Sequence, residues 1–442
     1  MHNVLLITSD FPPNLSIAAR RPFGLSKYLR EYGWNPIVLT TRDTKRRKSD
    51  HPGIHVIESD LLSTPRPVGK FLDIIHSRKT ATGSDSAYSM TNSNHTLSSR
   101  ETPWITRLRK ILLYPDRYFL YWYPNAVRNY LRFAKEIPVN AIISTAKPFT
   151  THIIAKYIKS RIYVPWIADF RDLWPHWRFF QDDDYYNKAS NLLNRILLSK
   201  FLTAADAIVS VSQPQKLLLI RRFPTKSVHY IPNGFDPAEY NSKSKLSISK
   251  FLLTYTGQVR TDCQDPEILF RAISQLIRKE VIDRSIIRLR FYGEITNKLV
   301  LDIKKYQITD IVDAAGVRRP RDEVITKQLE SSLLVLFAAL DPQNTGTATG
   351  KIYEYLAARR PILAVGKPSG ADILEEIIVK TRSGIYARDI NKLEETLASS
   401  YHQFMTSNNV TYVGLQNQID KFGYDEIARQ YANILDNLHG TL

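Results

Sequence analysis

At 442 residues the chain is long enough for two domains, since single domains run to roughly 100–200 residues. Hydrophobic residues at 43% and charged residues at 24% exclude wholesale disorder and a fibrous architecture, and a single cysteine, Cys263, excludes an internal disulfide and suits a reducing cytoplasm. The net charge of +18 is unevenly held: residues 1–250 carry 37 Lys and Arg against 19 Asp and Glu, while residues 251–442 carry 24 of each. An excess confined to one half points that half toward something anionic, nucleic acid or a phospholipid surface, or toward a merely solvated basic face. The N-terminus lacks a basic leader and a cleavage site, so it does not read as a signal peptide. The longest apolar run, Leu333 to Leu340, falls far short of the ~18–20 residues that span a bilayer.

In chain order, Val4-Leu5-Leu6-Ile7 reads as a buried parallel strand running into the loop Thr8 to Pro13. Arg21 to Tyr32 spaces Phe23, Leu25, Tyr28 and Leu29 as a helix, with Gly33 where a terminating glycine belongs. Pro36 to Thr41 is the next strand, completing a β-α-β unit. Residues 78–103 are rich in Ser, Thr and Asn and read as a mobile loop. Residues 104–123 interleave aromatic, aliphatic and basic side chains, and two readings stand: an interfacial membrane segment, or an amphipathic helix packed on the core. The alternation resumes with strands at 141–144, 164–168, 207–211 and 228–231 and helices at 150–159 and 187–204. Pro232 to Pro237 is a turn-rich break. A second series follows, with strands at 251–255, 287–292, 311–315, 333–337 and 361–365 that end in glycine or polar loops, where open α/β sheets hold ligands.

The segment from Thr345 to Leu356 carries the most chemistry. Small residues open a helix there, exposing backbone N–H groups and the positive end of its dipole to an anion. Lys351 in the first turn opposes that dipole unless an anion is bound, and Glu354 one turn later suits ribose hydroxyls; an ordinary glycine-rich helix start is the rival reading. A phosphate-binding loop of the Walker type is excluded, because Thr345 and Ile352 stand where it needs Gly and Ser or Thr.

Lys351 to Ala364 resembles the donor-site helix and following strand of the retaining GT-B glycosyltransferases of the large family 4 group, in its bacterial surface-polysaccharide branch. Ile7 to Pro13 with Leu25 to Leu29 and Gly33, Ala168 to Trp174, and Ile231 to Asp236 resemble further landmarks of that family in its order. The resemblance implies an α/β protein of GT-B fold, two Rossmann-like domains facing a central cleft. Residues 1–235 would form the acceptor domain and 236–420 the nucleotide-sugar domain; a C-terminal helix over 421–442 has packing back on the first domain as one option. Carried over by residue, Glu354 meets the donor ribose, Lys351 with the amides of Ala348, Thr349 and Gly350 lies near the diphosphate, Arg260 after Gly257 binds phosphate, and Val317 with Arg318 meets the base. Asp169 and Asp172 are the candidates for base or acceptor positioning, with Arg171 pairing them or holding an acceptor phosphate, or the three form a structural ion-pair turn. Arg20, Arg21 and Pro13 face the acceptor, or the two arginines cap the basic surface.

The sequence also departs from the family. Gly346 stands where a first glutamate contacts the sugar, Gln264 and Asp265 where a second phosphate-binding lysine falls, Ser16 to Ala19 where a Gly-Gly pair opens the first loop, and Asp169 is the nearest match to an acceptor-domain histidine. Asp182-Asp183-Asp184 reads as a polar loop, since the fold implies no metal and the nucleotide-sugar is a substrate rather than a cofactor. His176 reads as part of an aromatic cluster with Trp174 and Trp177, and Cys263 as a small side chain.

The expected activity is retaining transfer of a sugar from a nucleotide-diphosphate donor to a hydroxyl of a lipid-linked or polysaccharide acceptor such as a polyprenyl-diphosphate-linked glycan, in O-antigen or capsule synthesis. The enzyme would sit peripherally on the anionic inner face of the plasma membrane, with no nucleic-acid partner. A GT-B nucleotide-sugar epimerase and a basic nucleic-acid-binding protein are the alternatives. The charge asymmetry makes a direct prediction: the protein should float with anionic phospholipid vesicles and be released by salt, whereas salt-independent flotation would contradict an electrostatic attachment.

Overall fold

The structure is a computed structural model and describes residues 1–13, 16–42, 53–62, 116, 118–171, 199–240, 249–260, 264–317, 319–338, 348–366 and 372–440. The expectations for 78–103, for 104–115 and 117 of the aromatic segment, and for Asp172, His176, Asp182 to Asp184, Cys263 and Arg318 lie outside the described residues.

In chain order the elements are β1 (His2–Ile7), α1 (Ile17–Tyr28), β2 (Trp34–Thr41), β3 (His55–Ser59), α2 (Tyr123–Phe133), β4 (Ala141–Ala146), α3 (Thr150–Ile162), β5 (Trp166–Phe170), β6 (Ala207–Ser210), α4 (Gln213–Arg222) and β7 (Ser227–Tyr230). There follow β8 (Phe251–Thr256), α5 (Glu267–Arg278), β9 (Ile287–Tyr292), α6 (Asn297–Lys305), β10 (Val312–Ala314), α7 (Arg321–Leu329), β11 (Leu333–Phe337), α8 (Gly350–Ala358), β12 (Ile362–Val365), α9 (Ile373–Thr381), β13 (Gly384–Ala387), α10 (Ile390–Ser407) and α11 (Tyr424–His439). The strands form two sheets, ordered β3-β2-β1-β4-β5-β6-β7 and β10-β9-β8-β11-β12-β13. Each runs outward in both directions from its first strand, the doubly wound pattern that places a ligand crevice where the order reverses. Central strands such as β1 and β11 are aliphatic without alternation because helices cover both sheet faces, and Val4 to Ile7 and Leu333 to Phe337 are accordingly buried throughout.

By compactness the chain divides into one unit of residues 2–16 and 35–206 and another of residues 17–34 and 207–442. In the first unit β1 pairs with β4 from Val4 opposite Ala141 to Ile7 opposite Ser144, and β4 with β5 from Ile142 opposite Trp166 to Ala146 opposite Phe170. Helix α3 begins without a local side-chain cap. Asp116, 34 residues earlier in the chain, supplies one: its carboxylate accepts from the Thr150 N–H at 3.0 Å and the Thr150 hydroxyl at 2.6 Å. An anion at that end also suits the helix dipole. Two residues into the helix, His152 is buried, its Nδ1 2.7 Å from the Ser144 hydroxyl and its ring 4.7 Å from that of Phe170.

In the second unit α1 starts at Ile17, four residues ahead of the helix read from the pattern, and continues as a 3-10 turn over Leu29–Tyr32. Pro22 inside it removes one helical donor. The lost bond is offset by close packing on α11: a Cβ at Gly24 would lie 2.4 Å from Tyr424 Cγ, and Trp34 Nε1 donates to Asp436 at 2.8 Å. Gly33, left-handed at φ 84°, ends the turn as its position in the sequence implies. Lys27 and Tyr28 both reach Asp236, at 2.8 and 2.6 Å, and so tie the helix to the segment after β7.

His152 gives the first unit a defined acid sensitivity. Burial drives its pKa from 6.5 down to about 3, against the pull of Asp169. The unfolded chain therefore binds the proton across that interval, so the stability is fully present above pH 6.5 and is lost as pH falls toward 3, by up to about 1.4 kcal/mol per pH unit. Urea unfolding from pH 7 to 4 should show a steeper loss in the wild type than in His152→Phe; equal slopes would contradict the assignment.

Candidate donor-binding site

The second sheet reverses its order between β8 and β11. Strand β8 ends at Thr256, and Gly257 follows at φ +97°, a conformation that favours glycine. Its N–H bonds the Tyr292 carbonyl at 2.9 Å, and a Cβ at Gly293 would lie 2.7 Å from Gly257 backbone atoms, so the ends of β8 and β9 touch main chain to main chain. Arg260 is held in its loop by Gln264, whose Oε1 accepts from the Arg260 N–H at 2.9 Å while its Nε2 donates to the Phe337 carbonyl at 3.0 Å. Gln264 is thus the brace between the β8 loop and the end of β11.

Helix α8 opens at Gly350, and its N-cap Thr349 supplies no side-chain cap. Lys351 in the first turn lies back over Gly257: its Cε is 2.9 Å from where a Gly257 Cβ would be, and its Nζ is 5.3 Å from the centre of the Tyr255 ring. The lysine thus lies over a ring face at the start of a helix whose N-cap side chain gives no bond, an arrangement of the kind that receives anions. Ala348 packs on the core beneath α8.

Glu354 is 8% exposed and surrounded by donors. Arg20 Nη1 bonds its Oε1; Gln328 Nε2 donates to its Oε2 at 3.0 Å, and Arg321 Nη1 is ion-paired with Oε2 at 2.8 Å. Gln328 also donates to Thr256 Oγ1 at 3.1 Å and accepts from the Tyr240 hydroxyl at 2.9 Å, and Arg321 reaches Glu239 at 2.8 Å. Burial pushes Tyr240 up to about 12, so it is a fixed donor at neutral pH. Neither Arg321 nor Gln328 is evident as a site residue in the sequence; the only hint is their spacing of seven, which sets both on one face of α7.

The structure thus gathers Gly257, Lys351 and Glu354, with Arg260 in the adjoining loop. Val317 is 54% exposed in the turn after β10, beside Gly316 at φ +70°. One acceptor-side expectation is corrected. Arg21 is 1% exposed, donating to the carbonyls of Pro232 at 2.6 Å and Ile231 at 3.1 Å and to the Tyr431 hydroxyl at 2.8 Å, so it is a structural tie closed to any acceptor. Arg20 bonds Glu354. In the first unit Asp169 is fully buried at the end of β5, opposite Thr145, and Pro13 is half-buried in the loop after β1. Arg171 donates through Nε to the Ala146 carbonyl at 3.1 Å and through Nη2 to that of Lys147 at 2.7 Å, clamping the end of β4. Among the described residues no group of three or more His, Cys, Asp or Glu could hold a metal ion, and no helix is long and apolar enough to cross a membrane.

Two parallel Rossmann-like sheets are the GT-B fold of glycosyltransferases. Residues 88–239 match the family model of Glycosyltransferase Family 4. Among solved structures, sucrose-phosphate synthase from Thermosynechococcus elongatus is similar over 100% of both chains, with a TM-score of 0.60 and 14% identity. Anabaena HepE in complex with UDP and glucose is similar over 99% of this chain and 100% of its own, with a TM-score of 0.57 and 14% identity. The lipopolysaccharide outer core galactosyltransferase WaaB is similar over 98% and 99%, with a TM-score of 0.53 and 12% identity. At these identities the likeness is one of fold. No curated protein matches the chain in sequence.

Gln328 is the hub of the polar cluster under the site. Gln328→Leu would strip a donor from Glu354 and Thr256 and an acceptor from Tyr240, all buried, and should cost about 1–3 kcal/mol in chemical denaturation. A loss within error of zero would mean that the cluster is not closed in solution.

Proposed function

We propose that the protein is a retaining glycosyltransferase that moves a sugar from a nucleoside-diphosphate donor to a hydroxyl of a lipid-linked or polysaccharide acceptor at the inner membrane face. The observation that carries this reading is Lys351 laid over left-handed Gly257 at the uncapped start of α8. A lysine in a first helical turn opposes the dipole, and a bound diphosphate removes the conflict. HepE, with the same fold, is complexed with UDP and glucose, and WaaB is a lipopolysaccharide galactosyltransferase, which favours a nucleotide-sugar donor and a surface-glycan acceptor.

In the reaction the bond between the anomeric carbon and the diphosphate oxygen breaks and one to the acceptor oxygen forms. Charge develops on the leaving diphosphate, where Arg260, Lys351 and the amides of Ala348 to Gly350 stabilise it. Val317 and Arg318 take the base and Glu354 the ribose. The acceptor proton passes to the departing phosphate or to a carboxylate, for which Asp172 is the candidate because Asp169 is fully buried. The reaction needs no metal in this reading, because side-chain cations and helix amides neutralise the leaving group. The basic first half, with no nucleic-acid motif, suits an acceptor anchored at an anionic membrane.

A panel of nucleotide-sugars tests the reading by thermal shift and by nucleoside-diphosphate release in the presence of polyprenyl-diphosphate-linked acceptors. Arg260→Ala and Lys351→Ala should each weaken binding of the nucleoside diphosphate by about 10- to 100-fold, the loss of a charged hydrogen bond, and leave binding of the bare nucleoside unchanged. Donor affinity and turnover both intact in Glu354→Ala would overturn the donor-site assignment.

A further inference from the structure

The two oxygens of Glu354 are held in unequal ways. Oε2 is engaged from one side by α7, through Gln328 Nε2 at 3.0 Å and Arg321 Nη1 at 2.8 Å, and these partners are themselves braced by Tyr240, Thr256 and Glu239. Oε1 is bonded by Arg20 from α1. The Arg20 side chain is 34% exposed against 24% for Arg321, and the cluster gives it no brace like those on α7. Arg20 and Arg321 also repel one another across the shared carboxylate: burial and Arg321 together hold the Arg20 guanidinium below the usual arginine value. One oxygen is therefore held by braced partners, and the other by the more exposed one.

We propose that Arg20 occupies the ribose position when no nucleotide is bound, and that the vicinal hydroxyls of a ribonucleoside diphosphate displace it from Oε1. Arg20 places one N–H of its guanidinium on Oε1, and a ribose hydroxyl offers a donor to the same oxygen, so the two compete for one acceptor. Arg321 and Gln328 keep the carboxylate in place during the exchange, which makes them positioning residues, and Arg20 sets the affinity by competition. The inference rests on the reading that Glu354 takes the donor ribose.

Calorimetric titration of the full chain with UDP, ADP and GDP, each beside its 2′,3′-dideoxy counterpart, tests both statements separately. The wild type should prefer the ribonucleotide. A partly exposed ion pair is weak, so Arg20→Ala should bind the preferred ribonucleotide about two- to fivefold more tightly, with no gain for the dideoxy form. Arg20→Gln, which keeps one donor, should fall between and carries the test if Arg20→Ala does not fold. Unchanged or weaker ribonucleotide binding in the variants, with the ribose preference of the wild type intact, would overturn displacement and leave the donor site standing. An equal gain for the dideoxy form would also overturn it. A wild type that binds none of the nucleotides, or does not distinguish the sugars, would overturn the donor site itself.

Discussion

The buried guanidinium of Arg21 is the contact on which the rest of the second unit depends. Taking that charge out of water is costly, and the cost is offset only because the carbonyls of Ile231 and Pro232, the Tyr431 hydroxyl and the face of the same ring, 5.5 Å away, close around it. These partners come from the segment after β7 and from the last helix, so one side chain joins three stretches of sequence. It also fixes the rotation of α1. Adjacent residues on a helix point about 100° apart, and with Arg21 turned into the core its neighbour Arg20 is turned toward α8 and Glu354.

Local charge at the site is set independently of the global balance. Residues 251–442 carry no net charge, yet Lys351 and Arg260 lie around the start of α8 and the end of β8. They are not cancelled by Glu354, whose carboxylate is taken up by Arg20, Arg321 and Gln328, while Glu239 answers the second charge of Arg321. Two carboxylates against two arginines make a neutral floor beside the lysine and the remaining arginine. The excess of the first 250 residues is a different matter, a long-range field rather than a site.

The fold was legible wherever a strand was buried on both faces, because a strand of that kind is a run of aliphatic residues: β1, β4, β8, β11 and β12 all announce themselves. Whereas the edge strands β7 and β10 were legible, the strands not read, β3 and β13, each lie at the opposite edge of a sheet. There His-Val-Ile-Glu-Ser and Gly-Ile-Tyr-Ala bury only part of their length, so the signal is weak. The beginning of α1 was hidden by Pro22, which in sequence argues for a later start. At the site, Gly257, Lys351 and Glu354 were legible because small residues, a lysine and a helix repeat are a local pattern. Arg321, Gln328 and Tyr240 were not, since each acts on residues 26 or more positions away. Arg20 and Arg21 look alike in sequence, and only the helix phase, fixed by tertiary packing, sends them to different tasks.

The way the second unit is assembled has a consequence for how it is made. Arg21 and Trp34 emerge early from the ribosome, but their partners Tyr431 and Asp436 belong to the last helix. At about 5–20 residues per second, the intervening 410 positions take about 20–80 s to synthesise. Throughout that time a guanidinium and an indole that end up buried lack their final partners. The unit that holds the candidate site therefore closes only when translation is nearly over, which leaves the nascent chain to rely on the unit of residues 2–16 and 35–206 to remain compact while it waits.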